Sequence, residues 1–246
     1  MKLYAIGDPH LSLAVNKPMT IFGERWAGHP VSFFQRWEAT VAPEDIVLVP
    51  GDISWGMTTD EALPDLQALD ELPGRKLMIP GNHDYWWESL KKLRELPLQT
   101  IEFIQNDAVL LPAGAIPGVD ERVAVCGTRG WLCPGDRNWN QDLAHNEKIY
   151  AREVARLKLS LEAGRKLGAE RFLVMLHYPP VADDKAPTAF TELLESFGGV
   201  LQVVYGHIHS ASGASRALSG EQNGVLYRLV ACDQIDFIPL LLFPAP

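Results

Sequence analysis

Five short apolar runs of this chain each give way to side chains that bind metals. Residues 2–6 lead into Gly7-Asp8-Pro9-His10, residues 46–50 into Gly51-Asp52, and residues 76–80 into Gly81-Asn82-His83-Asp84. Residues 171–177 end in His177, and residues 201–205 lead into Gly206-His207-Ile208-His209. Runs of this length and near-continuous apolarity read as strands covered on both faces. Open α/β sheets place their ligand sites just past strand C-termini, which is where these side chains gather.

Further strand-like runs lie at 108–111, 122–126, 225–231 and 238–243, and helix-like segments at 32–41, 58–72, 85–95 and 144–167. The second opens with Thr-Thr-Asp-Glu, a capping pattern. In the last, Val154, Leu157 and Leu161 share one face, with Tyr150 close to it. Strand–helix–strand order through the first half predicts parallel pairing with crossovers. The strand-rich second half favours a mixed sheet or a two-sheet sandwich over a simple doubly wound sheet. Residues 114–140, dense in Gly, Pro and Trp, read as loop apart from the short run at 122–126, and long loops in compact domains are usually functional or mobile. The whole chain, 1–246, is expected to form one domain.

Composition narrows the function. A net charge of −9 argues against sequence-blind binding of nucleic-acid backbone, which needs a basic surface. No apolar stretch is long enough for a membrane span, and the N-terminal run is too short for a signal peptide. Three scattered cysteines form neither a zinc-ribbon spacing nor a disulfide framework, which favours a reducing cytoplasm. A soluble, cytoplasmic protein with a small-molecule partner is expected.

Residues two apart in an extended segment point to one side, so Asp8 and His10 can converge, as can His207 and His209. Carboxylate, imidazole and amide oxygen together suit Mn²⁺, Fe or Zn²⁺ rather than Ca²⁺. Asp8, His10, Asp52, Asn82, His177, His207 and His209 exceed the needs of one tetrahedral ion but fit two divalent cations sharing a carboxylate. Such a pair clamps the attacking and leaving oxygens of a displacement at phosphorus, so the chemistry expected is phosphoester hydrolysis.

Asp-x-His, Gly-Asp, Gly-Asn-His-Asp, a lone His and Gly-His-x-His, in that order from Asp8 to His209, resemble the calcineurin-like metallophosphoesterase superfamily. The resemblance implies a four-layer α/β sandwich of two mixed sheets flanked by helices, with the dimetal site at strand C-terminal ends. It implies that Asp8, His10 and His209 hold one metal and Asn82, His177 and His207 the other, with Asp52 bridging. It further implies that His83 protonates the leaving oxygen and that Asp84 orients its ring. The protein phosphatases of the superfamily follow Gly-Asp with Asp-Arg-Gly, whereas here Gly51-Asp52 continues Ile53-Ser54-Trp55-Gly56 with no arginine. Arg129, between Gly127 and Gly130, is the candidate phosphate clamp in its place. A phosphomonoesterase or phosphodiesterase is the leading expectation; the alternatives are a nuclease or a non-catalytic scaffold of the same fold. The helical HD hydrolases and the His-Glu-x-x-His peptidases do not match the sequence.

Several residues have an ordinary structural reading beside a functional one. Asp84 also suits the cap of a following helix. His29, between Gly28 and Pro30, reads as a loop residue able to lip the cleft, and His145 as surface. Of Tyr85-Trp86-Trp87, one or two rings are expected in the core, the alternative being a ring that stacks on a planar leaving group.

Overall fold

The structure is a computed structural model that describes residues 1–243. Its strands are β1 (Leu3–Ala5), β2 (Ile46–Pro50), β3 (Arg75–Ile79), β4 (Ile101–Phe103), β5 (Ala108–Leu110), β6 (Val123–Thr128), β7 (Arg171–Leu176), β8 (Val200–Tyr205), β9 (Gly220–Gln222), β10 (Val225–Leu229) and β11 (Leu240–Leu241). They form two sheets, β11-β1-β2-β3-β4 and β5-β6-β7-β8-β10-β9. Both sheets are mixed. The inner strands of each run parallel, while β11 on β1, β5 on β6 and β9 on β10 pair antiparallel at the edges.

The side-chain period of two explains why the strands read as continuously apolar. Along β1 and β2, Leu3, Ala5, Ile46 and Leu48 face the other sheet, where they meet Val125, Leu173, Met175 and Val204. Tyr4, Val47 and Val49 face outward onto Phe33, Trp37, Leu66 and Leu69, which belong to helices α1 (His29–Thr40) and α2 (Thr59–Glu71). On the far side, Phe172, Val174 and Leu176 meet Leu157, Leu161, Phe190 and Leu194, from α4 (Leu143–Lys166) and α5 (Ala189–Phe197). Helix, sheet, sheet, helix is the four-layer sandwich expected.

The helix ends follow their caps. Thr58 accepts from the Glu61 amide at the start of α2, as its sequence predicts. Asp142 does the same for α4, accepting from the His145 amide. The helix expected over 85–95 is largely absent: only Leu90–Leu93, α3, is helical. The chain turns instead after Asp84, whose Oδ1 accepts the Trp86 indole N–H at 3.0 Å and whose carbonyl accepts the Trp87 amide at 3.1 Å. That turn buries Trp86, which is 1% exposed, against Trp87 and Phe103.

Two strands, β4 and β9, and two helices, α5 and α6 (Ala211–Arg216), were not evident in the sequence. The strands have three residues each. The cap of α5 is a Thr188–Thr191 box rather than the Ser/Thr-x-x-Glu pattern. No helix among the described residues is long and apolar enough to cross a membrane.

Candidate metal centre

The loops that follow β1, β2, β3, β7 and β8 meet at one edge of the sandwich because those strands are parallel within each sheet. Backbone hydrogen bonds fasten the first two loops side by side. The Asp8 amide donates to the Gly51 carbonyl at 3.0 Å, His10 to Asp52 at 3.0 Å, and Leu11 to Ile53 at 2.9 Å. Contrary to expectation, convergence of Asp8 with His10 does not come from extended chain. Asp8 (φ 56°), His10 (φ 46°), Asp52 (φ 52°) and His207 (φ 71°) all occupy the left-handed region. Each such non-glycine residue costs about 1–3 kcal/mol, and such strain clusters at functional sites.

Glycine is required twice for lack of a side chain. A Cβ on Gly81 would fall on the Asp52 carboxylate and amide, and one on Gly206 on the Asp8 carboxylate. The glycines of Gly-Asn-His-Asp and Gly-His-x-His are therefore the floors on which the two carboxylates lie.

The seven expected ligands are brought together. His10 Nε2 stands 3.2 Å from His209 Nε2, and His209 Nε2 stands 3.8 Å from Asp8 Oδ1. Asn82 Oδ1 lies 2.7 Å from His177 Nε2 and 2.9 Å from His207 Nδ1. Asp52 Oδ2 is 3.6 Å from His10 Nε2 and 3.5 Å from His177 Nε2, between the two sets. Two overlapping groups, Asp8 with His10 and His209, and Asp8 with Asp52 and His177, are each compact enough for one ion.

Charge and protonation favour a cation here. Burial drives His177 and His207 down to about 3, so both are neutral at ordinary pH. His177 Nδ1 faces the Pro50 carbonyl at 3.1 Å and therefore carries the proton. Its Nε2 is left as a lone pair 2.7 Å from the oxygen of Asn82, also an acceptor. Two acceptors at that distance repel unless a cation lies against both. Burial likewise raises Asp8 and Asp52, carboxylates whose charge needs compensation when ionised in this interior. The donor set of imidazole nitrogen, carboxylate and amide oxygen fits a Mn, Fe or Zn ion.

His83 lines the centre. Its amide donates to Asp52 Oδ1 at 2.8 Å, and its ring lies 4.4 Å from Trp55 and 5.9 Å from His10, centroid to centroid. Asp84 does not orient that ring, contrary to expectation. Its Oδ1 accepts from the amides of Ile53 and Ser54, and its Oδ2 from the amide of Gly81. Burial, with the like charge of Asp52, pushes the Asp84 carboxyl up to about 7 against the pull of these donors. Asp84 thus ties the loop after β2 to the loop after β3 and shapes the cradle of Asp52. It caps no helix.

Arg129 is half-buried. Its guanidinium lies 4.9 Å over the Trp131 ring, and among the described residues its Nε has no hydrogen-bond partner. His29 is buried at the start of α1, where its Nε2 meets the Pro9 carbonyl at 2.9 Å, so it braces the Asp8–His10 loop rather than lipping the cleft. His145 is exposed, as expected.

Two contributors escaped the sequence reading. Asp233 Oδ1 accepts from His209 Nδ1 at 2.8 Å, and its Oδ2 is paired with Arg25 at 3.1 Å. Burial pulls His209 down, but Asp233, Asp8 and Asp52 outweigh it and raise the imidazole overall. The bond also leaves His209 Nε2 free to face the centre, a carboxylate–imidazole pairing characteristic of metal ligands. Asp233 closes the run at 225–231 just as the ligands close theirs, so the same signal was present there. Asp233→Asn is expected to weaken metal affinity about 10–100-fold while the fold persists; titration of Mn²⁺ into apo-protein checks this, and unchanged affinity would remove Asp233 from the site. The second is Lys17, whose ammonium sits 4.6 Å over the Trp55 ring, beside His83.

The calcineurin-like phosphoesterase family profile matches residues 1–211. Gene 66 protein of Mycobacterium phage D29 is 28% identical over 187 residues, which span 75% of this chain and 69% of that protein. Gene 66 protein of Mycobacterium phage L5 is 38% identical over 56 residues, 23% of this chain and 27% of that one. Among solved structures, the phosphopantetheinyl hydrolase PptH from Mycobacterium tuberculosis superposes with a TM-score of 0.57 at 15% identity, covering 100% of this chain and 98% of that one. The structural likeness bears on the fold alone, but the profile spans all five motif blocks, and the chain belongs to the calcineurin-like phosphoesterase family.

Proposed function

We propose that the protein hydrolyses a small phosphoester with the help of two divalent cations. Asp8, His10 and His209 hold one and Asn82, His177 and His207 the other, with Asp52 shared between them. The position of Asp52 Oδ2, within 3.6 Å of a nitrogen from each set, carries this reading. Bound cations there would supply Lewis acidity toward the phosphoryl oxygens and a lower pKa for the attacking water.

The chain's own groups do the rest. The paired loops hold the ligands in place before substrate arrives, so little reorganisation accompanies reaction. His83, anchored through its amide to Asp52, stands where it can protonate the departing oxygen. Arg129, whose guanidinium lies over Trp131, would steady the phosphoryl group; its partnerless Nε and the trough that Trp131 lines with His207 and His209 support that role.

The test is hydrolysis of p-nitrophenyl phosphate, bis-p-nitrophenyl phosphate and cyclic nucleotides after metal removal and single-metal add-back. Stripping should abolish turnover and Mn²⁺, Fe²⁺ or Zn²⁺ should restore it. Silence with every metal across the panel would overturn the reading. His83→Ala is expected to lower kcat by about 10²–10⁴-fold for esters with poor leaving groups and far less for p-nitrophenolate, which needs no proton. Equal losses for both would strip His83 of the acid role. Arg129→Ala is expected to raise KM by about tenfold, the equivalent of 1.4 kcal/mol of binding; values within about twofold of wild type would mark it as surface only.

A further inference from the structure

Two cavities open onto the candidate centre from different sides. One, of about 230 Å³, is walled by His10, Met19, Phe22, Trp26, Trp55 and His83 and reaches Asp52, His207 and His209. The other, of about 330 Å³, also contains His207 and His209 but runs past Trp131, Arg137, Asn138 and Arg216. The first is apolar and aromatic; the second is mixed, its charged side chains set among apolar ones such as Val181 and Leu218. They meet where the phosphoryl group must sit.

The aromatic cavity gathers several rings: Trp55 stacks on His10 with centroids 5.0 Å apart and planes 20° apart, and its remaining surface lines the cavity. The Trp55 indole N–H is already satisfied by the Met19 thioether at 3.1 Å, which fixes the ring. Phe22 lies parallel to Trp55 within 6° at a centroid separation of 6.3 Å, and it remains 56% exposed. Lys17 sits at 4.6 Å over the same indole, placing a cation at the mouth where an anionic ester would enter. Such flat, apolar walls beside a positive charge suit a planar aromatic group attached to a phosphate.

We infer, resting on the proposed function, that the substrate is an unsymmetrical phosphodiester whose leaving arm is a planar aromatic group held by Trp55 and Phe22. The arm in this cavity is the leaving one because His83, the candidate proton donor, is part of its wall. The retained arm occupies the larger, mixed trough. A monoester has one arm and would leave one of the two cavities to water. In the reaction, oxygen from water bonds to phosphorus, the bond from phosphorus to the aromatic arm's oxygen breaks, that oxygen takes the His83 proton, and the proton shed by the attacking water restores His83 through solvent. The products are a phosphomonoester of the retained arm and a hydroxylated aromatic compound.

The test uses the full chain loaded with Mn²⁺ and two readouts. In calorimetry, methyl phenylphosphonate, whose ring is joined to phosphorus through carbon and cannot leave, is compared with methyl cyclohexylphosphonate, a non-planar anion of similar bulk. Wild type is expected to bind the phenyl compound about tenfold more tightly, equivalent to 1.4 kcal/mol. Trp55→Ala and Phe22→Ala should bring the two towards equality, and Trp55→Phe should keep the preference within about threefold, or 0.65 kcal/mol. Because Phe22 is largely exposed, Phe22→Ala answers the question even if Trp55→Ala does not fold. In turnover, methyl p-nitrophenyl phosphate should surpass p-nitrophenyl phosphate in kcat/KM.

Equal binding of the two phosphonates by wild type, or faster hydrolysis of the monoester, would overturn the inference. Failure to hydrolyse either ester with any metal would instead fall on the proposed function, while the binding preference still reports on the aromatic cavity.

Discussion

Replacing Asp52 by Asn is expected to lower kcat/KM by at least about a thousandfold, some 4 kcal/mol of transition-state stabilisation, with the fold intact. Through Oδ2, Asp52 lies within 3.6 Å of nitrogens from both ligand sets. Its Oδ1 also accepts the His83 amide, so the same side chain positions the candidate acid. Asn keeps the shape and an acceptor oxygen but removes the charge that two neighbouring cations would share. Steady-state kinetics at saturating Mn²⁺, with metal content measured on the same sample, separates lost metal from lost chemistry. Retention of activity within about tenfold would mean that Asp52 is not shared between cations.

A single methyl group at Gly206 is expected to do comparable damage from outside the ligand set. Gly206→Ala places its Cβ inside the Asp8 carboxylate, far closer than any real contact. Asp8 cannot yield easily, because both its oxygens accept the His207 amide at 3.0 and 3.1 Å and its own backbone is fastened to Gly51. The clash must be relieved by moving Asp8 off its position or by parting the loops after β1 and β8. Overpacking of this kind costs about 1–3 kcal/mol of stability. Activity should fall by about two to three orders of magnitude, since ångström-scale misplacement of a reacting group can cost a hundredfold. Thermal melts and Mn²⁺ affinity, measured with kcat, check both parts. A Gly206→Ala protein with native metal affinity and turnover would show that Asp8 has room the structure does not give it.

The two substitutions also show why the sequence was readable where it was. Gly7-Asp8-Pro9-His10, Gly51-Asp52, Gly81-Asn82, His177 and Gly206-His207-Ile208-His209 are local signals: an apolar strand stops and a ligand follows. The backbone that makes them converge was read wrongly, because left-handed φ at Asp8, His10, Asp52 and His207 leaves no mark in residue type beyond the neighbouring glycines. Asp84 was read through its neighbour His83, yet its carboxylate bonds to amides some thirty residues back in the chain at Ile53 and Ser54. The helix expected over 85–95 failed for the same reason, since burial of Trp86 beside Phe103 outweighed a weak local propensity.

By itself, the chain's sequence determined the identities of the candidate ligands, their order, the family they resemble and the alternation of apolar runs that two stacked sheets require. These are properties of nearest neighbours and of periodicity, which a linear string carries. Only the tertiary structure decided that Asp233 braces His209, that Asp84 ties two loops together, and that Lys17, Phe22 and Trp55 form one wall beside His83. Those relations join segments up to some sixty-six residues apart, and they follow from parallel strands delivering their loops to a common edge. Spacing along the chain holds no record of which loop will face which; packing of the two sheets does.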